Sequence, residues 1–129
     1  MSVTPGPRAA AKLPRTARLS EKRDFARLFA QGKRSSDRCF TLLGHPNGME
    51  HSRLGLAISR KAARRATARN RLKRLARETF RRHQAALEGL DIVVMAKPGA
   101  DRLDNLELRA SLERHYAQLP SRCALSSNS

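Results

Sequence analysis

The segment from Arg60 to Arg82 constrains the fold more than any other part of the chain. It holds eleven basic residues and one acid, so it carries ten of the sixteen net positive charges. Within it, side chains that can be buried recur at i, i+3, i+4, i+7 and i+8, the spacing of one helix face. These residues are Leu72, Leu75, Ala76, Thr79 and Phe80. The pattern predicts a helix over about 67–83 that packs through a single stripe, because the rest of its surface is cationic.

The position of these cations disfavours a purely structural role. They crowd the loop and the first turns of the predicted helix, where the helix dipole is already positive and each cation costs roughly 0.3 to 1 kcal/mol. Bound phosphate reverses this cost, since the cations and the free N–H groups of a helix N-terminus both attract it. Nearly all of these cations are arginines, whose planar fork matches phosphate and stacks on bases. We therefore predict an RNA-binding surface that comprises Arg60, Lys61, Arg64, Arg65, Arg69, Asn70, Arg71, Lys73, Arg74 and Arg77.

Two details of this surface depend on helical phase and on residue type. At about 100° per residue, Arg65 and Arg69 fall on nearly the same side as the apolar stripe, one to two turns before it, and are expected to project past the sheet edge. Asn70 stands between two arginines, and a mid-helix asparagine either contacts a ligand or simply faces solvent.

The remaining elements follow from local signals. A helix is expected from Ser20, as N-cap, to Gln31, with Gly32 as its stop and an apolar face of Phe25, Leu28 and Phe29. Strand-like runs over 38–45 and 52–59 flank a turn-rich stretch, which suggests a hairpin with a longer loop. The apolar run 91–97 predicts a buried strand. A last helix is expected from Asp104, with Glu107 as its capping partner and an apolar face of Leu108, Leu112, Tyr116 and Leu119.

The order helix, strands, helix, strand, helix predicts one small α/β sandwich with about four strands and with helices packed on the sheet. We expect this domain to span residues 19–119. Residues 1–18 are expected to form a basic disordered tail, and residues 120–129 a loose polar tail.

Composition excludes several classes of function. Two cysteines suggest neither a disulfide framework nor a metal cluster and fit a reducing cytoplasm. No run approaches the roughly 20 apolar residues of a membrane span, so no membrane partner is expected. The four histidines are scattered, and neither a nucleophile–base arrangement nor a phosphate-cradling glycine loop is evident. We therefore expect no catalytic residue, no metal ligand and no small-molecule substrate. A ribosomal or nucleoid-type protein that binds polyanions structurally remains the alternative.

The basic segment also resembles a known family. The run from Arg60 to Glu78, with Arg69-Asn70-Arg71 at its core, is similar to the signature helix of bacterial ribonuclease P proteins, and the similarity extends in register from Leu19 to about Leu119. The resemblance implies a left-handed crossover around this helix. It also implies a subunit that binds a catalytic RNA, which cuts the 5′ leader from precursor tRNA with Mg²⁺ bound by the RNA, while the protein alone binds no cofactor. Where many members have Gly-Asn before the signature helix, this chain has Ala63-Arg64-Arg65-Ala66.

A cleft for the single-stranded leader is implied beside the first helix. Phe25 and Phe29 match family aromatics that line this cleft together with a sheet face. In the run 52–59 large apolar side chains on one face alternate with small residues on the other, and a strand face of small residues suits a single-stranded ligand. We therefore expect the cleft to comprise Phe25, Phe29, Gly55, Ala57 and Ser59, with Phe40 as the nearest further ring, since Leu42 stands where a stacking ring would be useful.

Overall fold

The computed structural model describes residues 14–127, so most of the predicted N-terminal tail (1–13) and the last two residues lie outside the described part. Its helices are α1 (Lys22–Gln31), α2 (Ala66–His83) and α3 (Asn105–Ser127). Its strands are β1 (Lys33–Ser36), β2 (Phe40–Pro46), β3 (Arg53–Ala57) and β4 (Leu90–Ala96). Short 3₁₀ turns lie at Arg15–Ala17 and Ala100–Arg102.

The four strands form one mixed sheet in the order β1-β2-β4-β3. β1 and β2 are antiparallel neighbours, as are β2 and β4, whereas β3 runs parallel to β4 and is joined to it through α2. The predicted α/β class and four-stranded sheet are confirmed. The handedness of the crossover stays a prediction of the resemblance.

Two hydrophobic clusters lie on opposite faces of the sheet. The larger one packs α2 and α3 against one face, and the whole predicted stripe of α2 is buried there. The predicted apolar face of α3 is also confirmed, since Leu108, Leu112, Tyr116 and Leu119 are all buried. The Tyr116 hydroxyl donates to the Ala76 carbonyl (2.9 Å), which fixes α3 against α2. The smaller cluster packs α1 on the other face through Leu19, Leu28, Leu43 and Val93.

A buried polar cluster fastens α3 to the β1–β2 hairpin. His115 Nδ1 lies 2.6 Å from Ser35 Oγ, and Ser111 Oγ donates to Asp37 Oδ2 at 2.7 Å. Burial alone would raise the pKa of Asp37. Hydrogen bonds from the Phe40 and Cys39 amides and from Ser111 outweigh burial, so the pKa lies well below its ordinary value. Asp37 therefore stays ionised and holds both elements.

The predicted hairpin between the runs 38–45 and 52–59 is wrong. β4 lies between β2 and β3, because its run Ile92-Val93-Val94 is apolar on both faces and is fully buried only at the centre of the sheet. The true hairpin joins β2 to β1, a strand that the sequence patterns did not reveal.

The ordered structure extends further at both ends of the domain than the sequence predicted. The N-cap of α1 is Glu21 rather than Ser20. Residues 14–18 pack against the domain and are not loose, since Ala17 is buried and the backbone of Arg18 forms an isolated β-bridge with Leu54. The chain after Pro120 is also not loose: α3 continues to Ser127. Its apolar stripe continues through Cys123, which is buried, and this packing outweighs the helix-breaking effect of an internal proline.

Candidate nucleic-acid interface

The N-terminal end of α2 is an exposed, uncapped helix end. Arg65 is the N-cap, its side chain makes no capping hydrogen bond, and the first turn contains no acid. The amides of such a turn are free to bind an anion, which the helix dipole also favours. Most of the predicted cations here are exposed, together with the asparagine between them: Arg60, Lys61, Arg64, Arg65, Asn70 and Arg74.

The loop before α2 is a turn with a buried inner side. The amides of Ala62 and Ala63 both donate to the Ser59 carbonyl, at 3.1 and 3.2 Å, and both alanine side chains are buried. The small residues therefore let the loop lie flat against the core, while Lys61 and Arg64 point outward. Ser59, predicted in the leader cleft, contributes to this turn instead, since its hydroxyl also accepts the Ala62 amide (3.4 Å).

Arg69 and Arg71 are half-buried and have partners inside the protein. Arg69 Nη1 donates to the carbonyls of Ala63 (3.0 Å) and Arg64 (2.8 Å). Arg69 therefore folds back over the loop and braces it, which corrects the prediction that it projects past the sheet edge. Arg71 contacts Asp101, in the segment that precedes α3, and Asn105, the first residue of α3. Helical phase placed Arg69 near the N-terminal end of α2 but could not show which carbonyl groups it would contact.

The cations are also crowded further along α2. Burial lowers the pKa of Arg77, and the nearby charges of Arg18 and Arg74 lower it further. These three guanidiniums repel one another, and an anion beside them would reduce that repulsion. The positive potential of the loop therefore continues along the helix.

The opposite face of the sheet carries the aromatic residues of α1. A Cβ built on Gly55 would lie 2.7 Å from Phe25 Cζ, so the Phe25 ring rests directly on this glycine. The prediction that Gly55 lies open to a ligand is wrong, because its missing side chain makes room for Phe25. Phe40 does not line this face either, since it is fully buried in the core beneath α2 and α3. Phe29, in contrast, is 54% exposed.

A half-exposed strip lies on this face, and two of its residues, Ala57 and Met95, pack with Phe25 against the smaller hydrophobic cluster. Thr41, Met95 and Ala57 are paired neighbours across three strands, and all three are partly exposed. Thr41 Oγ1 is hydrogen-bonded to Ser36 Oγ (2.9 Å) on the adjacent strand. Thr41 and Met95 were not among the residues predicted from the sequence. Alternation along β4 would have placed Met95 on the same face as Val93, had the pairing of the strands been known.

A buried ion-pair cluster sets the position of α1. Arg53 makes two hydrogen bonds to Asp91, at 2.8 and 2.6 Å, and its Nη1 lies 3.5 Å from Asp24 Oδ2. Asn47 Nδ2 donates to the same Asp91 carboxylate (3.0 Å). Asp24 precedes Phe25 in α1, so this cluster connects the aromatic helix to the start of β3 and β4. No sequence spacing indicated it, because the three charged residues are far apart in the chain.

Within residues 14–127 no three His, Cys, Asp or Glu side chains are grouped so that they could hold a metal ion. The helices of this part of the chain are too short or too polar to span a membrane.

Comparison with known proteins decides the family. The family model described as Ribonuclease P matches residues 13–120. The chain belongs to the ribonuclease P protein family. It is 48% identical over 111 residues to the ribonuclease P protein component of Thioalkalivibrio sulfidiphilus, covering 86% of this chain and 92% of that one. The corresponding protein of Nitrosococcus oceani is 47% identical over 110 residues, with 85% and 92% covered.

Solved structures of ribonuclease P proteins share the fold. The Staphylococcus aureus protein superposes with a TM-score of 0.73 at 31% identity, covering 80% of this chain and 96% of that one. For the Thermotoga maritima protein the TM-score is 0.65 at 39% identity, with 75% and 96% covered. As a ribonuclease P protein component, the chain is an RNA-binding protein of tRNA processing. The ribosomal or nucleoid alternative has no support among these relatives.

Proposed function

We propose that the chain is the subunit that binds the catalytic RNA of ribonuclease P with the loop 59–65 and α2, and the 5′ leader of precursor tRNA with the α1 face. The RNA performs the hydrolysis with Mg²⁺ that it binds itself, and the protein supplies contacts rather than reacting groups. The enzyme works in the cytoplasm, a reducing compartment that suits the two free, buried cysteines.

The observation that carries this proposal is the separation of two different surfaces by the sheet. On one side, an uncapped helix end is surrounded by exposed arginines and lysine, which suits a folded polyanion. On the other, the exposed Phe29 ring lies on the same side as the partly exposed strip of Thr41, Met95 and Ala57, which suits unpaired bases that stack on an aromatic ring. A protein with both surfaces can hold an enzyme RNA and a single-stranded segment of its substrate at once.

Phe29→Ala tests the leader surface. Because Phe29 is 54% exposed, its removal costs little stability, whereas stacking on an aromatic is worth roughly 1 to 3 kcal/mol per base. The holoenzyme, assembled with a bacterial ribonuclease P RNA, should lose about 5-fold or more in affinity for precursor tRNA but not for mature tRNA, which lacks the leader. Leu106→Ala is the matched control, since Leu106 is 79% exposed and lies on α3. Equal precursor-to-mature ratios in wild type and Phe29→Ala would refute the leader surface.

A further inference from the structure

We infer that Arg71 is a positioning residue, which fixes α2 to the segment before α3, and that it does not grip phosphate itself. This inference rests on the proposed function, in which the neighbouring cations of α2 bind RNA. It separates one arginine of the signature helix from the rest.

Both terminal nitrogens of the Arg71 guanidinium are occupied. Nη1 donates to Asn105 Oδ1 (2.7 Å) and to the Leu103 carbonyl (3.3 Å). Nη2 donates to the carbonyls of Asp101 (2.8 Å) and Leu103 (3.3 Å). The side chain thus meets three oxygens within residues 101–105, which comprise the end of the segment before α3 and the first residue of α3.

These contacts leave no fork for phosphate. An arginine has five N–H donors, four of them on the terminal nitrogens. A bidentate grip uses two parallel N–H groups, from Nη1 and Nη2 or from Nε and Nη2. In Arg71 both N–H groups of each terminal nitrogen already have acceptors within the protein, so only Nε–H remains to bind a phosphate oxygen. Arg69 differs, because its internal hydrogen bonds use Nη1 alone and leave the Nε and Nη2 edge for a ligand.

The segment that Arg71 holds connects β4 to α3. It contains the 3₁₀ turn Ala100–Arg102, entered through Gly99 with φ +84°. It ends at Asp104, whose carboxylate caps α3 by accepting the Glu107 amide at 2.8 Å. Arg71 therefore ties the first half of α2 to the start of α3. These hydrogen bonds fix the orientation of α2 and therefore the direction in which its exposed cations point.

The salt dependence of RNA binding distinguishes a positioning residue from a phosphate ligand. The slope is the steepness with which log K falls as log salt rises, and each phosphate contact that is lost lowers it by roughly 0.7 to 0.9. The full chain would be titrated with a bacterial ribonuclease P RNA at several NaCl concentrations, and its unfolding followed in urea. Arg74→Ala is the matched control, because Arg74 is exposed on the same helix. We expect Arg74→Ala to lower the slope with an unchanged urea midpoint, and Arg71→Ala to lower the midpoint with an unchanged slope.

A loss of slope in Arg71→Ala equal to that in Arg74→Ala would overturn the inference. Arg71→Lys covers the case in which the alanine variant does not fold. Lysine keeps the charge but gathers its donors on one nitrogen, so the midpoint should stay below that of wild type, and a midpoint restored to the wild-type value would also overturn it.

Asn105→Ala provides a test that leaves every cation in place. It removes one acceptor of Arg71, so it should lower the urea midpoint, and its effect combined with Arg71→Ala should be smaller than the sum of the two. Additive effects would contradict the inference. A wild-type slope near zero would instead refute the proposed RNA surface, and the unfolding measurements on Arg71 and Asn105 would still decide the positioning role.

Discussion

Gly55→Ala tests whether the small residue on this face of β3 is needed for the packing of the Phe25 ring. An ideal Cβ at this position would lie 2.7 and 2.8 Å from Cζ and Cε1 of Phe25, and 3.0 Å from Leu19 Cβ. Carbon atoms in contact prefer about 3.5 to 4.0 Å, so the ring must move by roughly 1 Å. Phe25 would then shift away from β3 and disturb the strip beside it.

The expected cost follows from two opposing effects. Overpacking a well-packed site typically costs about 1 to 3 kcal/mol. Replacing glycine by alanine also restricts the unfolded chain, which stabilises the protein by about 0.4 to 1 kcal/mol. We therefore expect Gly55→Ala to reduce the free energy of unfolding by about 0.5 to 2 kcal/mol, and to lower the affinity of the holoenzyme for precursor tRNA relative to mature tRNA.

Gly44→Ala is the control on the opposite face. A Cβ there would lie 3.2 Å from Cys123 Sγ and from Leu119 Cδ2, so some stability is lost but α1 is not displaced and the precursor-to-mature ratio should stay constant. Urea unfolding and tRNA binding would be measured on both variants. Adding Phe25→Leu to Gly55→Ala should recover part of the lost stability. A Gly55→Ala variant at least as stable as wild type would refute the packing of Phe25 on Gly55, and so would a destabilised variant whose stability Phe25→Leu does not improve.

Two further predictions concern the buried polar groups. Burial lowers the pKa of His115, although the Asp37 carboxylate acts in the opposite direction. Below the unfolded value of about 6.5 the unfolded chain therefore binds more protons than the folded one. The free energy of unfolding should fall as the pH drops from about 7 to 5, and it should fall less in His115→Gln. Equal pH dependence of the two proteins in urea melts would refute this. Asp91→Ala should lower the free energy of unfolding by roughly 3 kcal/mol, the low end for a broken buried ion pair, because Asp24 still faces Arg53. A loss below about 1 kcal/mol in urea unfolding would contradict a buried ion pair.

The elements that the sequence predicted well are those with a clear apolar pattern, either on one face of a helix or on both faces of a central strand. The stripe of α2 and the apolar face of α3 are buried as expected, and so is the apolar run of β4. In each case the burial of large side chains on one face, or on both faces of β4, determines the element locally. The class of the fold and the position of the basic surface follow from these elements.

β1 could not be predicted because its sequence, Lys-Arg-Ser-Ser, has no apolar alternation. It forms a strand through pairing with β2 and through Ser35, which contacts His115 eighty residues away. The same kind of long-range contact explains the error at Gly55, whose missing side chain is filled by Phe25. A bare strand face in a sequence therefore does not show whether a ligand or another part of the protein covers it.

Cleavage of precursor tRNA at low Mg²⁺ tests the central claim most directly. A bacterial ribonuclease P RNA and its substrate repel each other through their phosphates, and this repulsion is least screened when Mg²⁺ and salt are low. If the cationic loop and α2 bind the enzyme RNA while the α1 face holds the leader, adding this chain should restore cleavage at Mg²⁺ concentrations where the RNA alone is nearly inactive. The same rate with and without the protein, measured under conditions in which the two are shown to bind, would contradict the account.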